Sequence, residues 1–268
     1  MKSKLSVLRA IIWLHLLRLL RYKYGFLNMI LTDTMWYMIF LLGALMFVPK
    51  YEFEVAAVIT FWGIVLWIVL NDWVWLIGDW TWFAISAGLV DEHIVYGVNP
   101  LTFIGGRVLT ASLVTCISLP VVLTIFSSIA GTAIFTVYSP VYLVLGFSLM
   151  IVYSTMYALL LVALSLRTSV PSIMLDVSTV ILYIVGGLGV PVNRMPEPMR
   201  IFSILIPYTH AAEIVRYGAL GLKPYYGLEL ELLFSLVHVA ALGVISIATI
   251  RYSLNHVRRY GVRAVGVM

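Results

Sequence analysis

In "HAAEIVR", His210, Glu213 and Arg216 follow one another at three-residue intervals. Glu213 and Arg216 at that spacing can pair along a helix. A His and a Glu three apart share part of a zinc-hydrolase pattern, but no second His follows. No HExxH, GxSxG or zinc-type Cys/His cluster occurs anywhere in the chain, so an intramembrane enzyme finds no support. There is no Walker A loop either, and the chain cannot bind ATP by that device. The acids Asp33, Asp72, Asp79 and Asp176 fall in or beside apolar runs, with Asp72 the deepest. A charge at membrane depth is a functional hypothesis by default, here an ion or proton relay. Pairing with Arg or Lys at the interface, or helix capping, is the reading favoured for this set, because none is clearly at a midplane.

These groups must be positioned by apolar helices. Of the 268 residues 62% are hydrophobic and 11% charged, and the mean hydropathy is +1.04. Soluble domains carry about a quarter charged residues, so the composition is that of an integral membrane protein. Alternating, turn-bounded segments of a β-barrel are missing, which leaves an all-α fold. The expected spans are 27–48, 55–78, 108–130, 141–166, 172–190 and 232–250, in a single domain covering 1–268. No internal repeat, linker or low-complexity segment divides the chain. The lone Cys116 excludes an intramolecular disulfide.

The net charge of +5 reports topology rather than nucleic-acid binding. Lys2, Lys4, Arg9, Arg18, Arg21, Lys23, Arg107, Arg167, Arg251, Arg258, Arg259 and Arg263 fall on one side of the expected spans. Lys50, Arg194, Arg200, Arg216 and Lys223 fall on the other. The excess predicts cytosolic termini in a cell membrane. The N-terminal stretch "MKSKLSVLRAIIWLHLLRLLRYKYGF" begins like a signal peptide. Its arginines and the lack of a small-residue cleavage site predict a retained helix at the cytosolic interface, with a basic tail as the alternative. The cluster Trp73, Trp75, Trp80 and Trp82 predicts an interface belt.

Two connections stand out. "LVDEHIVYGVNP" predicts a short cytosolic helix ended by Gly97 and Asn99-Pro100, either an ordinary loop or a docking knob. "PEPMRIFSILIPYTHAAEIVRYG" is apolar yet charged and broken. Pro196 and Pro198 suit a first helical turn, Pro207 ends that piece, and Thr209 can cap a second helix stopping near Gly218 and Gly221. Each piece is a third to a half of a bilayer in length. The expectation is a re-entrant hairpin entering from outside, packed against the spans and capping a cavity, with a helical pair lying on the surface as the alternative.

In this order of elements, "GGLGVPVNRMPEPMRIFSILIPYTHAAEIVRYGALG" resembles the corresponding stretch of ABC-2 type permeases, the membrane subunits of ABC exporters. There a glycine and proline end span five, and a proline-aromatic-Thr element leads to an Arg and a Gly. The resemblance covers the whole chain. The segment Asp91-Glu92-His93-Ile94-Val95-Tyr96-Gly97 departs from that family's frequent Gly-Thr-Leu-Glu element. The resemblance implies a second permease subunit, as homodimer or heterodimer, and a separate ATPase subunit that holds ATP and Mg, with no cofactor in this chain. Leu89, Asp91, Glu92, His93 and Tyr96 would dock the ATPase. Residues 172–189 and 27–48 would line the dimer seam. Pro196, Pro198, Pro207, Thr209, Glu213 and Arg216 would form the outer lid. Tyr153, Tyr157 and Tyr183 are path-lining candidates, with core packing the favoured reading. An ion-coupled carrier or channel depending on Asp72, and a membrane assembly protein, are the alternatives.

Overall fold

The structure is a computed structural model. It describes residues 4–49, 52–79, 83–84, 87–89, 92, 95–97, 100–130, 135–166 and 171–260. Nine α-helices are delimited among them: α1 (Lys4–Arg21), α2 (Lys23–Met46), α3 (Phe53–Val74), α4 (Pro100–Ala130), α5 (Pro140–Ser165), α6 (Pro171–Ile184), α7 (Glu197–Ser203), α8 (Pro207–Leu220) and α9 (Leu228–Tyr260). A π-helical turn, Trp75–Asp79, continues α3, and a 3₁₀ turn, Val192–Arg194, precedes α7. No strand occurs among the described residues.

Four segments are long and apolar enough to cross a membrane: Val55–Gly78, Thr102–Ser128, Pro140–Ser165 and Leu228–Val257. They mark a membrane protein and fall on the second, third, fourth and sixth expected spans. α4 starts eight residues before the expected 108, so Arg107 lies inside the helix and is buried. α9 starts at Leu228 rather than 232, which brings Glu229 and Glu231 into its first turn. Acids suit that position because it carries the positive end of the helix dipole. α6 ends at Ile184, six residues short of 190. Its 14 residues cover about 21 Å, less than a bilayer core of about 30 Å.

In lipid the hydrophobic effect does not drive helices together, so close packing and hydrogen bonds must do so. Glycines let the backbones approach. A Cβ on Gly146 of α5 would sit 2.6 Å from a Val215 methyl and 2.8 Å from the Val215 nitrogen. One on Gly218 of α8 would overlap the Leu143 backbone. α8 is therefore pressed against α5 with almost no side chain between them, and it also meets α9 and α3. Eleven of its fourteen residues are buried. Gly63 of α3 does the same for the chain after α6, where a Cβ would lie 2.9 Å from the Leu188 carbonyl.

Two expectations fail here. Trp73 is buried among the helices rather than in an interface belt, and Trp75 packs against the same core; Trp80 and Trp82 lie outside the described residues. Pro207 does not end a helix but begins α8. α7 stops at Ser203, before the proline, and Pro207 takes the first helical position, where its missing N–H costs nothing.

Candidate functional site

Two regions gather the functional candidates. The first lies where α1 docks on the start of α4. Ile11 and His15, one turn apart, face α4 and are both buried. Gly106 accepts them: a Cβ there would overlap Ile11 and come within 3.2 Å of the His15 ring. His15 stacks obliquely on Phe103 at 5.2 Å. Burial first, then the positive Arg107 and Arg18, pull the His15 pKa down to about 3, so its ring stays neutral. The opposite face of α1 leaves Leu5, Trp13 and Leu20 exposed, with Arg9 and Arg21 also outward.

The connection to α4 leads straight into this region. The Glu92 N–H donates to the Gly88 carbonyl (3.2 Å), and the Tyr96 N–H donates to the Glu92 carbonyl (2.9 Å). These are helical i to i−4 bonds. Gly88 and Gly97 bracket them with φ of 73° and 69°, a backbone region where glycine pays no side-chain penalty. Leu89 packs against the core, while Glu92 and Tyr96 are exposed, Tyr96 by 80%. Asp91 and His93 lie outside the described residues. The described part thus presents one anchored leucine and two outward polar side chains, three residues before α4 begins.

The second region is built around α8. Arg216 is buried and pairs with Glu213 at 3.0 Å. It also donates to the carbonyls of Gly187 and of Leu188, the latter at 2.6 Å. Glu213 accepts the Val192 N–H at 3.3 Å. Thr209 is not a cap: it sits in the first turn, behind the N-cap Ile206, and donates to the Gly186 carbonyl at 3.0 Å. Three α8 side chains therefore clamp the chain that turns back after α6. That turn needs Gly187 at φ 74°, and Gly189 lies against the Tyr183 ring. Gly221, at φ 70°, ends α8 as expected. Gly218 lies within the helix as a packing contact. Pro196 and Pro198 flank the start of α7, at its N-cap and second positions.

The opposite side of α8 meets α9. His210 Nδ1 and Glu231 Oε2 are 2.5 Å apart, both side chains wholly buried. His210 Nε2 donates to the Ile204 carbonyl at 3.0 Å, and Glu231 accepts the Tyr226 N–H at 3.4 Å. The His238 ring stacks on His210 at 5.1 Å and 18°.

The tyrosines divide. Tyr153 is fully buried and donates to the Ser235 carbonyl at 2.9 Å. Tyr157 and Tyr153 both lie against Tyr208, whose hydroxyl donates to Ser154 at 3.3 Å. Tyr183 meets Trp67 edge-on at 4.8 Å. All four rings serve helix packing in this conformation. Asp72 is buried inside its span and accepts from Ser118 at 3.2 Å. Ser118 is ten residues from the end of its own segment, Thr102–Ser128, or about 15 Å at helical rise. Asp72 itself is six residues from the end of Val55–Gly78, about 9 Å at helical rise.

Sequence reasoning missed His210, Glu231 and His238 as a group. Glu231 falls just before the expected span 232–250, and the helical spacing that joins Glu231 to His238 appears only once α9 starts at Leu228. Compared with known proteins, the chain matches no family model and no curated protein.

Proposed function

We propose that this chain is the membrane permease of an ATP-driven exporter of the ABC-2 type, working as a pair of permease subunits with separate ATPase subunits. Both termini face the cytosol of a plasma-membrane protein with six spans. α2 and α6 supply the two spans beyond the four long apolar segments, α6 by joining the turn clamped under α8. The α7–α8 hairpin enters from outside. Ile201, Phe202 and Leu205 of this hairpin are exposed and suit the lipid side, while α8 is the buried arm.

The observation that carries the reading is the start of α4, on which α1 docks and which the connection holding Glu92 and Tyr96 precedes by three residues. A basic, acid-free helix docks on the start of α4, and the glycine-bracketed connection that leads into α4 presents Glu92 and Tyr96 outward. A lever of this kind transmits force from a cytosolic motor to a span. Such a motor is needed, because the chain has no Walker A loop of its own. ATP and Mg would be held there. Substrate class is left to experiment among lipid, drug, peptide and glycan. Co-expression with ABC ATPase subunits tests the reading: a stable complex with vanadate-sensitive ATP hydrolysis in liposomes is expected. No complex and no such activity would overturn it.

One observation favours a second reading, an ion-coupled carrier. Asp72 reaches Ser118 at membrane depth. Transport driven by a pH gradient alone, and abolished in Asp72→Asn, would replace the first reading with this one.

A further inference from the structure

We propose that His210, Glu231 and His238 form a proton-binding site that latches α8 to α9 while it holds one shared proton and loosens when it takes up a second. The inference needs no nucleotide, partner or permease function. It rests on how the three side chains meet.

A carbonyl oxygen can only accept, so the Ile204 contact fixes the His210 proton on Nε2. The 2.5 Å gap between Nδ1 and Glu231 Oε2 must then contain the next proton, on one atom or the other. Without it two acceptors would face each other in a fully buried site. With it, imidazole and carboxylate together are neutral, which suits a place with no water. The second imidazole lies on the first nearly in parallel. His238 is only partly buried. Its Nδ1 is buried with no completed hydrogen bond among the described residues, and the Phe234 carbonyl one turn earlier faces the ring. An acceptor is thus in place for an N–H that the neutral ring need not carry. The rings meet by their faces, and no group of three metal-binding side chains occurs among the described residues, so the proton is the ligand the geometry fits.

The surrounding charges do not substitute for this carboxylate. On α8 itself, Glu213 and Arg216 are paired with each other and turned to the 187–192 chain. From α7, the Arg200 guanidinium lies over Tyr225 and donates to the Met195 carbonyl. The connection before α9 brings Tyr226, whose ring is 6.4 Å from His210. α5 brings Tyr153 and Tyr157, gathered around Tyr208. α3 brings Asp72, bonded to Ser118. A proton arriving on His238 therefore adds a positive charge whose ring lies 5.1 Å from that of His210, beside one shared carboxylate. The contact at risk is that between His210 and Glu231, which ties the start of α8 to the start of α9, together with the bonds beside it from His210 to Ile204 and from Tyr226 to Glu231.

Hydrogen exchange of the full chain in lipid nanodiscs tests this, with intrinsic rates corrected, from about pH 7.5 down to about pH 4, below the ordinary histidine range. Protection of residues 204–210 and 226–231 should fall by about tenfold or more on acidification. His238→Phe keeps an aromatic face on His210 but takes no proton, and should flatten that response while preserving protection at the higher pH. Glu231→Gln should open the latch at both. A wild-type chain whose protection does not change with pH, or a His238→Phe chain that responds as fully as wild type, would overturn the proposal. Should Glu231→Gln fail to fold, His238→Phe, with the pair intact, still decides it.

Discussion

Around α8, charge is buried and matched: Glu213 with Arg216, His210 with Glu231, and each of these pairs with backbone groups of the chain it holds. Around the start of α4 the arrangement differs: Arg107 is buried there, but the connection before it faces outward. Glu92 and Tyr96 point outward from a short turn between two glycines, and the buried His15 of α1 is kept neutral by its surroundings. The contrast follows from what each region must do. A buried charge is tolerated only when paired and hydrogen-bonded, so the α8 groups are committed to holding their own chain together. Exposed groups just before α4 are uncommitted and can meet a partner. One region is a structural lock, the other an exposed surface open to a partner.

The largest effect should come from breaking a pair inside the lock. Glu213→Ala leaves the Arg216 charge buried, and the cost should be about 3–5 kcal/mol, read from denaturant unfolding in detergent. Glu213→Leu with Arg216→Met should recover part of that loss. If Glu213→Ala is neutral, α8 is not the locked element described here. Gly218→Ala comes next. Its methyl meets the Leu143 backbone, and overpacking of this kind costs about 1–3 kcal/mol. A variant as stable as wild type would show that α5 and α8 can separate freely.

His15 sharpens the contrast through pH. Its folded pKa of about 3 lies below the ordinary 6.5, so between these values the undocked state binds the extra proton. The docking of α1 on α4 should be fully stable above the ordinary value and weaken as pH falls toward the folded one. His15→Leu should remove that dependence, measured as exchange protection of residues 11–15. This acid response is separate from the one at His238, because it is read on α1 rather than on α8 and α9. The smallest effect belongs to the exposed surface. Glu92→Ala with Tyr96→Ala should change stability by no more than about 0.5 kcal/mol, since neither side chain is buried. A larger loss would make these residues part of the fold rather than a surface for a partner.

Much of this was legible in the chain. Composition and apolar run length identify a helical membrane protein, and four expected spans coincide with the long apolar helices. Gly97 and Gly221 mark ends that their positive φ explains. The Glu213–Arg216 pair follows from spacing alone. What sequence periodicity does not contain is which helix a polar side chain meets. Thr209 reads as a cap because Thr before an apolar run usually is one, yet tertiary structure gives its hydroxyl to Gly186. Pro207 marks a break correctly but on the wrong side, because a proline serves a helix start as well as a helix end. His210 and Glu231 are 21 residues apart, and their contact exists only because two glycines let α8 lie close against α5, beside α9.

The central claim is that the outward face just before α4 engages an ATP-hydrolysing partner. The direct measurement is affinity purification and vanadate-sensitive ATP hydrolysis of the chain co-expressed with an ABC ATPase subunit, with and without Glu92→Ala/Tyr96→Ala. The account predicts a stable complex and hydrolysis for the wild type, both weakened in the double variant while its fold is unchanged. Equal binding and hydrolysis by the two would contradict the assignment of that face, and no complex with either would contradict the permease itself.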